Sequence, residues 1–216
     1  MKNLLTTTIT RIAVCLVFAF FGCKDNSGID TPVAAGDLLP YAPGNSWTYI
    51  DSTFSQSGIS VDTLTVSVIS NREFNGFIAW RLDAAYNPSI TSKEFYLSGD
   101  SVFSVQQTDH GTGIVYVPSL EYIRPRGVDS TQFSSLIGGD VMLRKNVSLF
   151  PTVFAGPTGS FSSFLKYWYT IYPLKYTEIL APSIGVYSVK MTNIATDSLN
   201  RSVPSRSLTL LHYTLN

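Results

Sequence analysis

The two histidines, His110 and His212, are the side chains of this chain best suited to acid–base or metal chemistry near neutral pH. His110 follows Asp109 in a glycine-containing segment, and His212 stands beside Tyr213 near the end of the chain. Neighbouring side chains of an extended chain point to opposite sides, so Asp109 cannot orient His110 for catalysis. The sequence also lacks a Gly-x-Ser-x-Gly elbow and a His-x-x-x-His pair. We therefore predict no catalytic histidine and no metal site.

Carboxylates are the other residues that could perform hydrolysis, because glycosidases use a pair of them. The four glutamates are Glu73, Glu94, Glu121 and Glu178. Glu73 lies beside a predicted hairpin tip and Glu94 alternates outward in its strand, so both are expected in solvent. The spacing singles out no pair. We predict that the protein is not an enzyme, and a carboxylate-dependent hydrolase stays the least favoured alternative.

The aromatic segment Phe161–Tyr176 carries side chains suited to a flat, amphipathic ligand such as a sugar. In a strand, Trp168 and Tyr172 share one face, and the other face is apolar as well. Two apolar faces favour burial on both sides, because exposed aromatic rows are rare. If the domain binds a small ligand, we predict Trp168 and Tyr172 as its contacts, with Trp47 or Trp80 as further candidates. No cofactor is predicted.

The first residues of the chain read as a targeting segment. The apolar run Ile12–Phe21 follows Lys2 and Arg11, and it suits a signal peptide but is about half as long as a membrane-spanning helix. Gly22-Cys23, directly after it, resembles the lipobox of bacterial lipoproteins. That resemblance implies cleavage before Cys23 and acylation of Cys23, which would attach the protein to a membrane of the cell envelope, in particular the outer membrane. An ordinary secretory leader is the alternative.

Three regions follow from this interpretation: a lipoprotein signal peptide (1–22), a flexible tether (23–39) and a β domain (40–216). Residues Lys24–Asp37 lack apolar periodicity and contain Gly, Pro, Ser and Asp, as flexible linkers do. The 15 basic residues balance the 15 acidic ones, which does not favour nucleic acid as a partner.

After Pro40 the chain alternates short strand patterns with turn-rich pieces, and β-branched and aromatic residues are abundant. This spacing predicts one antiparallel all-β domain, either a sandwich or a curled half-barrel. Ser60–Ser70 and Gly76–Tyr86 form the clearest hairpin. We predict a three-residue loop, Phe74–Gly76, because that register pairs Val68 with Leu82 and keeps the apolar side chains on one face.

A Pro-x-x-x-Gly-Asn-x-Trp-x-Tyr motif opens the domain, at Pro40, Gly44, Asn45, Trp47 and Tyr49. It resembles the start of many secreted β-rich lipoproteins of the Bacteroidetes type, some of which curl like lipoprotein-carrier half-barrels. The resemblance implies an envelope location and a β fold, and it brings no catalytic residues.

The sequence therefore predicts a membrane-anchored envelope lipoprotein whose non-catalytic β domain binds a ligand or acts as a scaffold. A glycan, a lipid and another envelope protein all remain open as partners beside the membrane itself. The alternative, a lipid carrier, predicts an apolar cavity of roughly several hundred Å³.

Overall fold

The computed structural model describes residues 38–86, 89–109, 114–125, 127–137, 141–196 and 202–216. All of them belong to the compact unit Val33–Asn216. Residues 1–37, which include Cys23 and the predicted signal peptide, lie outside the described residues. Within the described ranges, no helix combines the length and the apolar composition that crossing a membrane requires.

Fourteen strands make up the described part of the domain. In chain order they are β1 (Ser46–Ser55), β2 (Gly58–Phe74), β3 (Phe77–Tyr86), β4 (Ser89–Ser98), β5 (Ser101–Asp109), β6 (Ile114–Ile123), β7 (Thr131–Ile137), β8 (Val141–Phe150), β9 (Phe154–Gly156), β10 (Gly159–Phe161), β11 (Phe164–Ile171), β12 (Leu174–Ala181), β13 (Gly185–Thr196) and β14 (Ser202–Thr214).

Twelve of these strands form one antiparallel sheet, in the order β6-β5-β4-β3-β2-β1-β14-β13-β12-β11-β8-β7. β9 and β10 form a separate two-stranded hairpin. The large sheet coils on itself, as strand twist accumulated over many strands requires, until its edge strands β6 and β7 approach each other. The prediction of a single antiparallel all-β domain is confirmed. One curled, barrel-like sheet is present where a sandwich would have two facing sheets.

The edges of the sheet meet through side chains. The Ser119 hydroxyl on β6 donates to the Leu136 carbonyl of β7 at 2.8 Å and accepts from the Leu136 N–H at 2.9 Å. Ser119 also lies 3.2 Å from the Ser135 hydroxyl. Gln106 Nε2, on β5, donates to the same Leu136 carbonyl at 2.7 Å. These bonds occupy edge groups that a neighbouring strand would otherwise pair, so the sheet is nearly closed.

The hairpin between β2 and β3 has a shorter loop than the sequence predicts. Phe74 pairs with Phe77, so the loop has two residues, Asn75 and Gly76. Both have positive φ, +50° and +80°, as a type I′ turn requires. A bulge in β2 shifts the register, so that Val68 still pairs with Leu82. The three-residue loop is therefore wrong and the predicted apolar pairing is confirmed, because the extra residue lies in the strand.

The motif that opens the domain binds the residues that precede β1 and those that follow β14. The Asn45 side chain is 2% exposed. Its Nδ2 donates to the Pro40 carbonyl at 2.5 Å, and its Oδ1 accepts from the Asn216 N–H at 2.8 Å. The main-chain N–H of Gly44, where φ is +90°, donates to the Val68 carbonyl at 3.0 Å. The Asn45 main-chain carbonyl also accepts from the Val68 N–H at 2.9 Å, so Asn45 binds polar groups of three separate segments.

Trp47 and Tyr49 both point into the interior of the curled sheet, as their spacing of two residues predicts. The Trp47 indole N–H donates to the Ile184 carbonyl at 2.6 Å, and the Tyr49 hydroxyl donates to the Val186 carbonyl at 2.9 Å. These bonds join β1 to the turn before β13 and to the first residues of β13.

Candidate functional site

The interior of the curled sheet encloses a cavity of about 400 Å³. Its wall comes from inward-facing positions of β1–β4, β6 and β11–β14, which alternate with outward-facing ones along each strand. The lining residues are Leu39, Tyr41, Trp47, Tyr49, Leu64, Val66, Leu82, Ala84, Tyr86, Thr91, Lys93, Phe95, Tyr122, Tyr169, Tyr176, Glu178, Gly185, Val186, Val189, Met191 and Leu208. Most of this surface is aliphatic or aromatic.

Residues before β1 form part of the cavity wall. Leu38 and Leu39 lie in the range predicted as tether, yet they are 0% and 3% exposed. Tyr41 follows them, and its ring lies 6.0 Å from that of Trp80 and 5.9 Å from that of Phe95. Burial raises the pKa of the Tyr41 hydroxyl well above its ordinary value. The segment therefore covers the interior with apolar and neutral side chains.

One side of the cavity carries a buried carboxylate. Glu178 on β12 is 5% exposed, and it accepts hydrogen bonds from the hydroxyls of Tyr122, at 2.7 Å, and Tyr169. The pKa of both tyrosines is raised well above the ordinary value. Burial is the larger cause, and the nearby Glu178 carboxylate is the second. Both phenols stay protonated at physiological pH, so each continues to donate a hydrogen bond to Glu178.

Lys145 carries a second buried charge, which lies against the rings of these two tyrosines. The Lys145 ammonium is placed 5.6 Å from the centre of the Tyr122 ring and 5.1 Å from that of Tyr169. It donates to Glu121 Oε2 at 2.7 Å, and Ser104 donates to Glu121 Oε1 at 2.7 Å. Each charge of this network has a partner, as burial requires.

A further ion pair lies at inward positions of β1 and β14. Arg206 Nε and Nη2 donate to the two oxygens of Asp51, at 2.8 and 2.5 Å. The same guanidinium donates to the Tyr86 hydroxyl. The hydrogen bond to Asp51 raises the pKa of Arg206, so the cation is retained.

The residues predicted as ligand contacts do not come together in one site. Trp47 lines the interior cavity, and Trp80 packs against the same core cluster. Trp168 is half-buried and lines a separate depression of about 340 Å³ together with Lys166 and other residues of β11 and β12. Tyr172, in the turn after β11, is 86% exposed and does not line that depression.

The sequence did not predict that charged residues lie in the interior. Glu178 stands between Tyr176 and Leu180 in an inward row, and Lys145 occupies an inward position of β8. A charged residue within an apolar alternating row was the available signal, because such a residue needs a buried partner. In the ranges that the structure describes, no three His, Cys, Asp or Glu residues group in a way that could bind a metal ion.

No family model matches the chain, and no curated protein matches it. It is similar in structure to a candidate lipoprotein from Parabacteroides distasonis, with a TM-score of 0.48 and 12% identity over 82% of this chain and 98% of the other. It is also similar to a candidate exported protein with a YmcC-like fold from Bacteroides fragilis, with a TM-score of 0.45 and 13% identity over 80% and 96%. At these values neither likeness bears on what the chain binds.

Proposed function

We propose that the β domain binds an amphipathic ligand whose acyl chain occupies the interior cavity. The observation that carries this proposal is the cavity itself, about 400 Å³ in volume and mostly apolar in lining. Sites for small ligands have volumes of about 300–1,000 Å³ and are mostly apolar, with a few polar groups that set orientation. A lipid carrier is the kind of protein for which an apolar cavity of roughly this size is expected.

The polar groups of the cavity favour a chain over a sugar. A sugar needs many free donors and acceptors, whereas Glu178 already accepts from Tyr122 and Tyr169. Tyr49 likewise donates to a main-chain carbonyl. What these groups leave for a ligand is the apolar surface between them, where each buried methylene contributes about 0.8 kcal/mol.

We also propose that the domain is non-catalytic. Both oxygens of Glu178 accept tyrosine hydroxyls, and both oxygens of Glu121 accept bonds from Ser104 or Lys145. Carboxylates engaged in this way suit a structural role, since a glycosidase keeps an acid and a base facing the substrate.

For the whole protein we propose an envelope lipoprotein that Cys23 attaches to the outer membrane. The support is the apolar run Ile12–Phe21 followed by Gly22-Cys23. Acyl chains on one cysteine give a firm attachment only when there is more than one of them, as lipoproteins have. A domain held beside a membrane in this way would bind a lipid where lipids are plentiful.

Filling the cavity tests the binding proposal. Ala84 lines the cavity on β3, so an Ala84→Trp side chain occupies the space proposed for the acyl chain. Ala85, the next residue, faces outward and makes Ala85→Trp a matched control. The full chain and both variants are titrated with parinaric acid, whose fluorescence rises in apolar surroundings. Losing the burial of two methylenes weakens binding about tenfold, so Ala84→Trp should weaken it by at least that factor.

The control also accounts for parinaric acid bound elsewhere, because all three proteins share the same N-terminal segment. Circular dichroism establishes that both variants are folded. Equal affinities for Ala84→Trp and Ala85→Trp, or no binding by the unchanged protein, would contradict the proposed function.

A further inference from the structure

The sheet has a side opening between β4 and β5. These strands pair from Ser98 and Ser101 as far as Glu94 and Val105, where the ladder ends. Both strands continue beyond this point, β4 toward Ser89 and β5 toward Asp109, and each remains paired on its other side. The strands therefore diverge, and a second cavity of about 670 Å³ lies at the gap.

Lys93 connects the two cavities. It pairs with Leu82 of β3, which faces the interior, so Lys93 also occupies an inward position. It lines the interior cavity and the side opening alike. An inward residue of a closed sheet would be buried, but Lys93 is exposed, because β5 does not cover it.

The other charges at the opening are paired. Arg72 forms a salt bridge with Glu94, and Arg81 forms one with Asp83 at 3.1 Å. Glu121, on the interior side, binds Lys145 at 2.7 Å. Within the described residues, Lys93 has neither a hydrogen-bond nor a salt-bridge partner for its ammonium. The opening thus presents one positive charge directly beside an apolar cavity.

From this arrangement, and resting on the proposed function, we infer that the ligand is a single-chain amphiphile with an anionic head. Its chain lies in the interior cavity, and its carboxylate or phosphate lies in the opening between β4 and β5, where it accepts hydrogen bonds from the Lys93 ammonium. A neutral amphiphile would gain the same apolar burial without the ion pair. Lys93 therefore selects for the charge of the head and not for the chain.

The size of this preference follows from the exposure of Lys93. An exposed ion pair contributes up to about 1 kcal/mol, which corresponds to roughly fivefold in affinity. Salt screens exposed charges over about 10 Å at 0.1 M, so the preference should shrink as salt is added. A purely steric role of the lysine stem would show no such salt dependence.

The test compares laurate with dodecanol, which have the same chain length and differ in the charge of the head. Each displaces parinaric acid from the full chain, from Lys93→Gln, from Lys93→Glu and from Lys190→Gln. Lys190 pairs with the outward residues Thr177 and Ser207 and is exposed, so it controls for loss of a surface charge. Inorganic phosphate is added alone as a head without a chain.

We expect the unchanged protein and Lys190→Gln to bind laurate roughly fivefold more tightly than dodecanol at low salt. Lys93→Gln should bind both equally, and Lys93→Glu should prefer dodecanol. Displacement by phosphate alone would overturn the inference, since the chain would then not be needed. A laurate preference that survives in Lys93→Gln would overturn it too.

The two proposals fail in different ways. If the unchanged protein binds laurate and dodecanol equally, the role of Lys93 is wrong and the acyl-chain cavity stands. If it binds neither of them, the proposed function itself is wrong.

Discussion

At the scale of single residues, the interior depends on tyrosines that stay neutral. Burial is the first cause of the raised pKa of Tyr41, Tyr49, Tyr122, Tyr167 and Tyr169. Phenols supply large apolar surfaces and one donor each, so they can line an apolar cavity and still satisfy buried acceptors. Tyr167, which is 0% exposed, does this by donating to the Ile123 carbonyl at 2.7 Å.

These raised pKa values predict unfolding in alkali. The unfolded chain loses each phenolic proton near pH 10, whereas the folded chain retains it to a higher pH. The stabilisation is therefore complete below about pH 10 and is lost as the pH rises further, by about 1.4 kcal/mol per unit for each such tyrosine. Urea unfolding at several pH values above 9 should show this steep decrease.

Two variants identify the source of the decrease. Tyr167→Phe removes one buried phenol. The free energy of unfolding should then fall less steeply with pH, by about 1.4 kcal/mol per pH unit, although stability near pH 7 also falls. Tyr172→Phe is the control, because this position is 86% exposed and the substitution removes no buried phenol. Phenolate absorbance that rises fully before any loss of near-ultraviolet circular dichroism would contradict the prediction.

At the scale of elements, the contact between β6 and β7 decides whether the sheet closes. Ser119 replaces a ladder there, because its hydroxyl bonds both the N–H and the carbonyl of Leu136. Ser119→Ala leaves the Leu136 N–H without an acceptor, and a buried unsatisfied group costs about 1–3 kcal/mol. We expect that loss of stability together with faster exchange of the Leu136 amide.

Ser134→Ala is the control for this prediction, since Ser134 lies on β7 but is exposed. Its amide exchange and stability should match those of the unchanged protein. If Ser119→Ala lowers the stability without accelerating exchange at Leu136, the hydroxyl stabilises the protein in some way other than by joining the two edges.

Alternation and turn chemistry made most of these elements predictable. The predicted strands Ser60–Ser70 and Gly76–Tyr86 correspond to β2 (Gly58–Phe74) and β3 (Phe77–Tyr86). The loop Asn75-Gly76 was missed because a bulge in β2 corrects the register, and nothing in the local pattern requires that bulge. No strand was predicted over Thr131–Ile137, the range of β7, because its buried positions alternate between apolar Phe133 and polar Ser135.

At the scale of the whole molecule, the cavity could not be read from the chain, because it depends on how far one sheet coils. The sequence orients Trp47 and Leu64 inward, but a sandwich would bury both against a second sheet. Only the closure of twelve strands leaves space between inward rows that face each other across the interior. The same coiling, interrupted between β4 and β5, exposes Lys93 beside that space.

The proposed attachment to a membrane would place such a cavity beside lipids, and it can be tested without knowing the ligand. Acylation needs the thiol of Cys23, so Cys23→Ser should move the protein from the membrane fraction to the soluble fraction of the cell envelope. Cys15→Ser is the matched control, because Cys15 lies within the apolar run Ile12–Phe21 and should not be acylated. Since the substitution leaves the β domain unchanged, the Cys23→Ser protein should bind parinaric acid as the unchanged protein does. Membrane association that persists in Cys23→Ser would exclude the lipid anchor, and the domain would then have to reach its ligand from solution.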